Sequence, residues 1–276
     1  NPEFIARFYA LLFGVLSFIL FYFLVSHINL KLRGIASLLL IVSPPFLYLF
    51  SVATKYTAAL FFILLGCYFL SKKKDWIALA SFFVSSFFSI VAFSLAVLIL
   101  FYFGFKNKKL ENFYLYLIAF VLSFILQFYN IFWLGLPELI FGMNGFTFSN
   151  FFSFVVFGLG GKSGIGLFML ILALIGIYES YNEKYKFLFI YLLIILFLFL
   201  SFYFPFLLSY LSLVLAFFAA KGFTFLLYDE WKSNLLKFLT LLVICCGLLL
   251  SFLVFYDGVS SFEPTKEHFE AIDFLR

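Results

Sequence analysis

Long apolar runs, separated by short clusters of charged residues, limit what this chain can fold into. Its 276 residues are 66% hydrophobic and 11% charged, and the mean hydropathy is +1.18. A soluble domain has about 45–50% apolar and about 25% charged residues. The sequence therefore predicts an all-α, polytopic membrane protein with about ten transmembrane helices, some of them short or broken.

Ten apolar segments are candidate membrane crossings, since a helix needs about 20 residues to span the hydrocarbon core. The segments are Phe8 to Ser26, Gly34 to Ser51, Thr57 to Leu70, Trp76 to Phe88, Ile90 to Phe105, Phe113 to Phe128, Ser163 to Tyr178, Phe187 to Tyr203, Phe206 to Ala220, and Leu236 to Phe255. Several are shorter than a full crossing.

The apolar run from Trp76 to Phe105 is too long for one crossing. As a single helix it would measure about 45 Å against a hydrocarbon core of about 30 Å. Lysine clusters lie on both sides of it, so a hairpin that breaks near Ser85, Ser86 and Ser89 keeps them on one side of the membrane. A single tilted helix is the alternative. A break at Pro205 divides the run Phe187 to Ala220 in the same way.

The distribution of cations supports the hairpin. With ten crossings and an external N-terminus, most of the 18 Lys and Arg residues fall inside, as the positive-inside rule requires. The internal ones are Lys31, Arg33, Lys72, Lys73, Lys74, Lys106, Lys108, Lys109, Lys184, Lys186, Lys221, Lys232 and Lys237; the external ones are Arg7, Lys55, Lys162, Lys266 and Arg276. A single crossing from Trp76 to Phe105 would move most cations outside.

This topology divides the chain into a transmembrane domain, residues 1–256, and a tail, residues 257–276, that begins an extracytoplasmic domain. The stretch from 129 to 162 becomes a long external loop. The first residue is not Met, and the tail stops within an amphipathic helix that Thr265 would cap. We therefore expect an internal piece of a larger protein of the cell membrane, with both of its ends extracytoplasmic.

Several functional classes are disfavoured. The cations form no contiguous basic face, so we expect no nucleic-acid partner. The three cysteines lie within apolar runs, which predicts buried apolar residues and not a disulfide framework. His27 and His268 are too few and too far apart to suggest a metal site.

Lys55 and Tyr56 are candidates for binding a lipid-linked phosphate. They lie at the external end of a hairpin, just after Pro44 and Pro45. An ammonium beside a phenol can hold a phosphate at the outer interface. The alternative is an interfacial lysine that extends its charge into water. Arg7, just outside the first crossing, is a similar candidate.

Two residues of the external loop are weaker candidates. Lys162 lies in a glycine-rich turn that invites comparison with a nucleotide-binding loop, but that pattern needs Gly where Val156 stands. A contact to an anionic headgroup is the remaining role for Lys162. Glu138 lies where a carboxylate would meet both donor and acceptor, but it has no second acid beside it.

Three stretches resemble the GT-C superfamily of integral membrane glycosyltransferases, in particular protein O-mannosyltransferases and aminoarabinose transferases. They are the Arg-led span from Arg7 to Gly14, the turn Ser43–Tyr48 followed by Ala53–Tyr56, and the span from Leu208 to Gly222. Two departures stand out. The family's catalytic carboxylate lies in a loop upstream of Asn1, and Ser209 replaces a basic residue that often precedes the tyrosine.

The resemblance implies transfer of a sugar from a polyprenyl-phosphate donor to a glycan, protein or lipid acceptor on the extracytoplasmic face. Lys55, Tyr56 and Arg7 would hold the donor phosphate. A divalent metal is compatible with the family, although this chain shows no ligand set for one. The alternatives are a transporter or flippase with discontinuous helices, and a non-catalytic membrane scaffold subunit.

Overall fold

The structure, a computed structural model, describes residues 2–51, 55–107, 156–157, 164–201, 207–231 and 233–260, with short pieces at 117–118, 121–122, 124–125, 128–129 and 132. The fold is all-α. The helices with both ends in this part are α1 (Pro2–Ile28), α2 (Arg33–Ile41), α3 (Pro44–Ser51), α4 (Lys55–Ser71), α5 (Asp75–Phe88), α6 (Ile90–Asn107), α7 (Leu167–Glu179), α8 (Lys184–Leu200), α9 (Leu207–Tyr228) and α10 (Asn234–Ser260). A 3₁₀ turn, Ser180–Glu183, joins α7 to α8, and β1 (Val156–Phe157) pairs in parallel with β2 (Ile165–Gly166).

Three helical segments in the described part are long and apolar enough to cross a membrane: Phe8–Ile28, Leu207–Tyr228 and Asn234–Leu253. Five further apolar helical segments, within α4 to α8, have 10–17 residues. The predicted helical class is confirmed, and these lengths and compositions fit a membrane protein. The number of crossings and their orientation remain predictions.

The helix breaks fall where the sequence places its turn residues. The span predicted from Gly34 to Ser51 consists of α2 and α3, and α3 starts at Pro44, whose fixed φ suits a first helical residue. Between α5 and α6, Ser89 is extended, with φ −162° and ψ 141°. The Ser89 hydroxyl accepts the Val91 N–H at 3.2 Å and so caps α6.

Helices α1 and α4 run in parallel. Near the start of the pair, Phe13 contacts Phe61 with ring centroids 5.3 Å apart, and near its end Phe23 contacts Tyr68 at 6.1 Å. The chain between them, including α2 and α3, must therefore return to the level at which α1 began. This is the geometry expected for a hairpin that starts at Gly34.

Helices α5 and α6 fold back on each other. Phe88, at the end of α5, stacks on Phe62 of α4 at 5.9 Å, so α5 is antiparallel to α4. Tyr102, near the end of α6, stacks on Phe189 at 4.1 Å, close to the start of α8. The predicted break in the Trp76 to Phe105 run is therefore present, and the single-helix alternative is wrong.

Helices α8 and α9 also form an antiparallel pair. Phe187 contacts Phe218 at 5.8 Å near one end, and Phe197 contacts Tyr210 at 6.3 Å near the other. The helices end and begin on either side of Pro205, as predicted. Residues 202–206 themselves lie outside the described part.

Helices α7 and α9 meet backbone to backbone through Gly176 and Gly222. A Cβ atom added at Gly176 would collide with the carbonyl oxygen of Phe218, and one at Gly222 would collide with that of Leu172. Small residues at a helix crossing allow this approach, which is typical of helix packing in membranes. The α7–α9 joint therefore depends on the absence of two side chains.

These directions give the bundle two ends. One, called the basic end, is where α1 and α4 finish and where the 3₁₀ turn and the α9–α10 connection lie. The other, the distal end, is where α1, α4 and α9 begin. Every Lys, Arg, His, Asp and Glu side chain that the structure describes lies at or within about two turns of the basic end: His27, Lys31, Arg33, Lys72, Lys73, Lys74, Asp75, Glu179, Glu183, Lys221, Asp229, Glu230 and Lys237.

Two expectations need correction. The crossing predicted to stop at Ala220 continues as helix to Tyr228, so Lys221 lies inside α9 and not in a loop. Apolar residues beyond Gly222 sustain the helix, and the contact with α7 holds it. Cys245 and Cys246, predicted to be buried, are exposed on the outer surface of α10, whereas Cys67 is half-buried.

Gly176→Ala and Gly222→Ala should each lower the thermal stability of the purified protein in detergent by several degrees. The added methyl group has to push two helix backbones apart, and overpacking of this kind costs about 1–3 kcal/mol. Gly34→Ala is the matched control, because a Cβ there meets nothing within 4 Å. Equal melting temperatures for all three variants would argue against the close α7–α9 contact.

The two ends can be assigned to compartments by cysteine labelling in a background without Cys67, Cys245 and Cys246. We expect Lys73→Cys to be protected from a membrane-impermeant maleimide in intact cells, because the basic end should face the cytoplasm. Lys55→Cys, at the distal end, should react. Labelling of both positions from the same side would contradict the arrangement.

Candidate functional site

At the distal end, the starts of α3 and α9 are joined by a buried hydrogen bond. The Ser209 hydroxyl donates to the carbonyl oxygen of Pro45 at 2.9 Å, across 164 positions of sequence. The bond brings together two of the three stretches that carry the family resemblance. The Ser209 hydroxyl therefore links α3 to α9.

Two other hydroxyl groups of this region are buried without a partner. Tyr210 is 4% exposed and Ser43 is 1% exposed, and neither hydroxyl has a hydrogen-bond partner among the described residues. The Tyr210 hydroxyl lies in the neighbourhood of the Tyr56 hydroxyl. An unsatisfied buried hydroxyl costs about 1–3 kcal/mol, so such groups are available to a polar ligand.

The predicted phosphate-binding residues lie near this same end: Lys55 and Tyr56 begin α4, and Arg7 lies in the N-terminal part of α1. The hydroxyl of Tyr9 in α1 lies close to the backbone of Ala58 in α4, so the N-terminal part of α1 lies beside the start of α4. Arg7 and Lys55 therefore belong to adjacent turns, although their side chains lie outside the described part. We call Arg7, Lys55, Tyr56, Ser209 and Tyr210 the distal cluster.

The remaining candidates cannot be placed. Glu138 and Lys162 lie outside the described residues, as does nearly all of the loop from 129 to 162. Their suggested roles stay predictions. The described part of the distal cluster therefore offers hydroxyl groups, and no carboxylate in it has been identified as a base.

An apolar cavity of about 410 Å³ lies between α1, α4, α6, α8 and α9. Its walls are aliphatic and aromatic side chains, together with Cys67. Along α8 it extends from Phe187 to Phe197, a length of about 15 Å. Tyr210 forms part of its wall toward the distal end, and Ile28 part of its wall at the basic end. With no charged residue in its lining, this space suits hydrocarbon.

Lys221 lies beside the cavity at the basic end. Its ammonium donates to the Ser180 hydroxyl at 2.9 Å and lies 5.0 Å from the ring centroid of Phe187, which lines the cavity. Ser180 is fully buried and donates in turn to the Gly176 carbonyl at 2.7 Å. The ammonium is therefore fixed between a hydroxyl and an aromatic face.

Apart from these groups, the described interior contains few polar side chains and no cluster of ionisable ones. In the described part every buried polar residue is Ser or Thr, and no group of three or more His, Cys, Asp and Glu side chains is placed to hold a metal ion. Proton- and ion-coupled pathways usually contain ionisable residues inside the membrane. No buried carboxylate of that kind is present among the described residues.

Sequence reasoning missed Tyr210 as a neighbour of Tyr56, and it missed the position of Lys221. The Tyr210 contact has no local signal, because it depends on the packing of α9 against α3 and α4. Lys221 had one. It is followed by Gly222 and then by a further apolar stretch, Phe223–Tyr228, which continues the α9 pattern.

Comparison with known proteins gives no match: no protein-family model, no curated protein and no solved structure resembles the chain significantly. The resemblance to GT-C glycosyltransferases therefore remains an expectation based on the three stretches of sequence.

Ser209→Ala should destabilise the protein by about 1 kcal/mol, because it removes a buried hydrogen bond between two helices. Ser212→Ala is the control. Ser212 is also buried on α9, but its hydroxyl bonds only to the Ser209 carbonyl of its own helix, at 2.8 Å. Thermal unfolding in detergent measures both. If Ser212→Ala were the more harmful change, the α3–α9 bond would not be the important one.

Proposed function

We propose that the chain is part of a membrane glycosyltransferase that transfers a sugar from a polyprenyl-phosphate donor to an acceptor at the distal end of the bundle. One observation carries the proposal. The N-terminal parts of α1, α3, α4 and α9 converge there, so that Arg7 within α1 and Lys55 at the start of α4 lie near Tyr210, whose hydroxyl has no partner among the described residues.

Such a reaction needs a site at the membrane surface, because the sugar is polar and its carrier is hydrocarbon. The ammonium of Lys55 and the guanidinium of Arg7 would neutralise the phosphate, which leaves with the bonding electrons when the sugar is transferred. Hydroxyl donors from Tyr56 and Tyr210 would orient it. The carrier's long chain can remain in the bilayer beside the helices.

The acceptor must lose a proton during the transfer, and a carboxylate is the usual base. In the GT-C family this carboxylate belongs to the first external loop, and the resemblance assigns it to no residue of this chain. Glu138 is the candidate within the chain. The distal cluster is thus proposed to hold the donor phosphate, while the base comes from another segment.

A transporter is the second candidate function, since the helices break at Ser43 and Ser89 as in discontinuous transport helices. The cavity argues against it for polar solutes. Its lining has no charged side chain, and its hydroxyl groups are those of tyrosines. A path for ions or sugars needs polar groups near the membrane centre.

Lys55→Gln should weaken the binding of polyprenyl phosphate about tenfold or more. A charge-assisted hydrogen bond to phosphate is worth about 1.5–3 kcal/mol, and about 1.4 kcal/mol corresponds to a factor of ten. Binding can be measured with radiolabelled polyprenyl phosphate and the purified chain in nanodiscs of zwitterionic lipid. Tyr56→Phe should give a smaller loss.

Lys73→Gln serves as the control, because Lys73 carries the same charge at the basic end. We expect its affinity to equal that of the unmodified chain. A Lys55→Gln protein that folds normally and binds the phosphate as tightly as the Lys73→Gln protein would remove the distal cluster as the donor site.

A further inference from the structure

The charge of Lys221 lies in unusual surroundings for a lysine in this chain. No carboxylate among the described residues pairs with it, and of the three donors of an ammonium only one is taken, by Ser180. Its ammonium lies over the ring of Phe187, and the side chain is half-buried. Two N–H donors therefore remain for an acceptor from outside the described residues.

The cation stands directly at the rim of the apolar cavity. Phe187 forms both the cavity wall and the face on which the ammonium lies, and Phe217, one turn before Lys221 on α9, is also part of the wall. A space lined in this way stays dry, and hydrocarbon fills it better than water does. The site thus combines one fixed positive charge with room for an apolar chain.

We propose that this site binds an anionic phospholipid of the leaflet at the basic end, with its phosphate on Lys221 and one acyl chain in the cavity. The bilayer supplies such chains at high local concentration. Basic pockets between membrane helices on the cytoplasmic side recognise anionic headgroups in this manner. The proposal does not depend on the glycosyltransferase function, since the donor phosphate is assigned to the distal end.

The competing explanation is structural, because Lys221 lies beside Ser180 at the C-terminal end of α7, where a cation is favourable. The two explanations differ in what the cavity does. If Lys221 has only a structural role, filling the apolar cavity beside it should not change what Lys221 does. Lipid binding requires both the charge and the space, and each can be removed separately.

The experiment is native mass spectrometry of the chain, purified in mild detergent and supplied with phosphatidylglycerol or with phosphatidylcholine of the same acyl chains. We expect one retained phosphatidylglycerol per chain and much less phosphatidylcholine. Lys221→Gln should reduce retention of phosphatidylglycerol about tenfold, as loss of a charge-assisted hydrogen bond implies. Lys221→Arg, which keeps the charge, should largely restore it.

Val214→Phe tests the cavity, because Val214 lines it and a larger side chain would occupy the space of the acyl chain. We expect lost retention although Lys221 is unchanged. Two controls match these variants. Lys72→Gln removes another lysine that lies over an aromatic ring, Tyr68 at 5.8 Å, and Val243→Phe enlarges a side chain that is 54% exposed on α10. Both should retain lipid normally.

The proposal would be overturned by equal retention of the two phospholipids, by equal retention in Lys221→Gln and Lys72→Gln, by normal retention in Val214→Phe, or by displacement of phosphatidylglycerol from this site by polyprenyl phosphate at lower concentration. Inorganic phosphate at millimolar concentration should not displace the lipid, and full displacement by it would show that the acyl chain contributes nothing. Thermal unfolding of each variant in the same detergent establishes that the protein is folded.

Discussion

Inside hydrocarbon, every backbone N–H and C=O group needs a partner from the protein itself, and this requirement decides where the chain can turn. At Ser89 the α5–α6 break is possible because the serine hydroxyl takes over the Val91 N–H. Many other buried serine hydroxyls donate to carbonyl groups of their own helix, as Ser17 does to Phe13 at 2.7 Å. Serine hydroxyls can therefore bond to backbone groups at the ends of short helices, and they do so without placing a charge in the interior.

Side-chain volume then determines which helices touch and which stay apart, because lipid provides no hydrophobic force between helices. Gly176 and Gly222 bring α7 and α9 into backbone contact. Helices α8 and α9 instead meet through large aromatic side chains, such as Phe187 and Phe218. A tight joint and an open cavity thus lie on two sides of one helix. Since Lys221 directly precedes Gly222, the tight joint also fixes the ammonium near the cavity rim.

The sequence predicted those features that depend on neighbouring residues. Pro44 and Ser89 mark helix starts and breaks by local chemistry, and the lysines at 72–74 mark an end of the bundle because charges avoid hydrocarbon. The candidate site could not be predicted in this way, because it depends on contacts between distant parts of the chain. The bond from Ser209 to Pro45 joins residues 164 positions apart, and nothing in either stretch specifies the other. The extension of α9 past Lys221 depends equally on its partner helix.

The two proposed lipid sites differ in the number of cations nearby. This number affects how much a single substitution should weaken lipid binding. The basic end carries many lysines, so a lipid there would be selected by the cavity as much as by charge, and among the described lysines it is Lys221 that contacts the cavity wall. At the distal end Lys55 begins α4 and Arg7 lies in the N-terminal part of α1, and the described polar neighbours are hydroxyl groups. An anion bound there would rely on these two residues, because hydroxyls alone do not balance the charge of a phosphate.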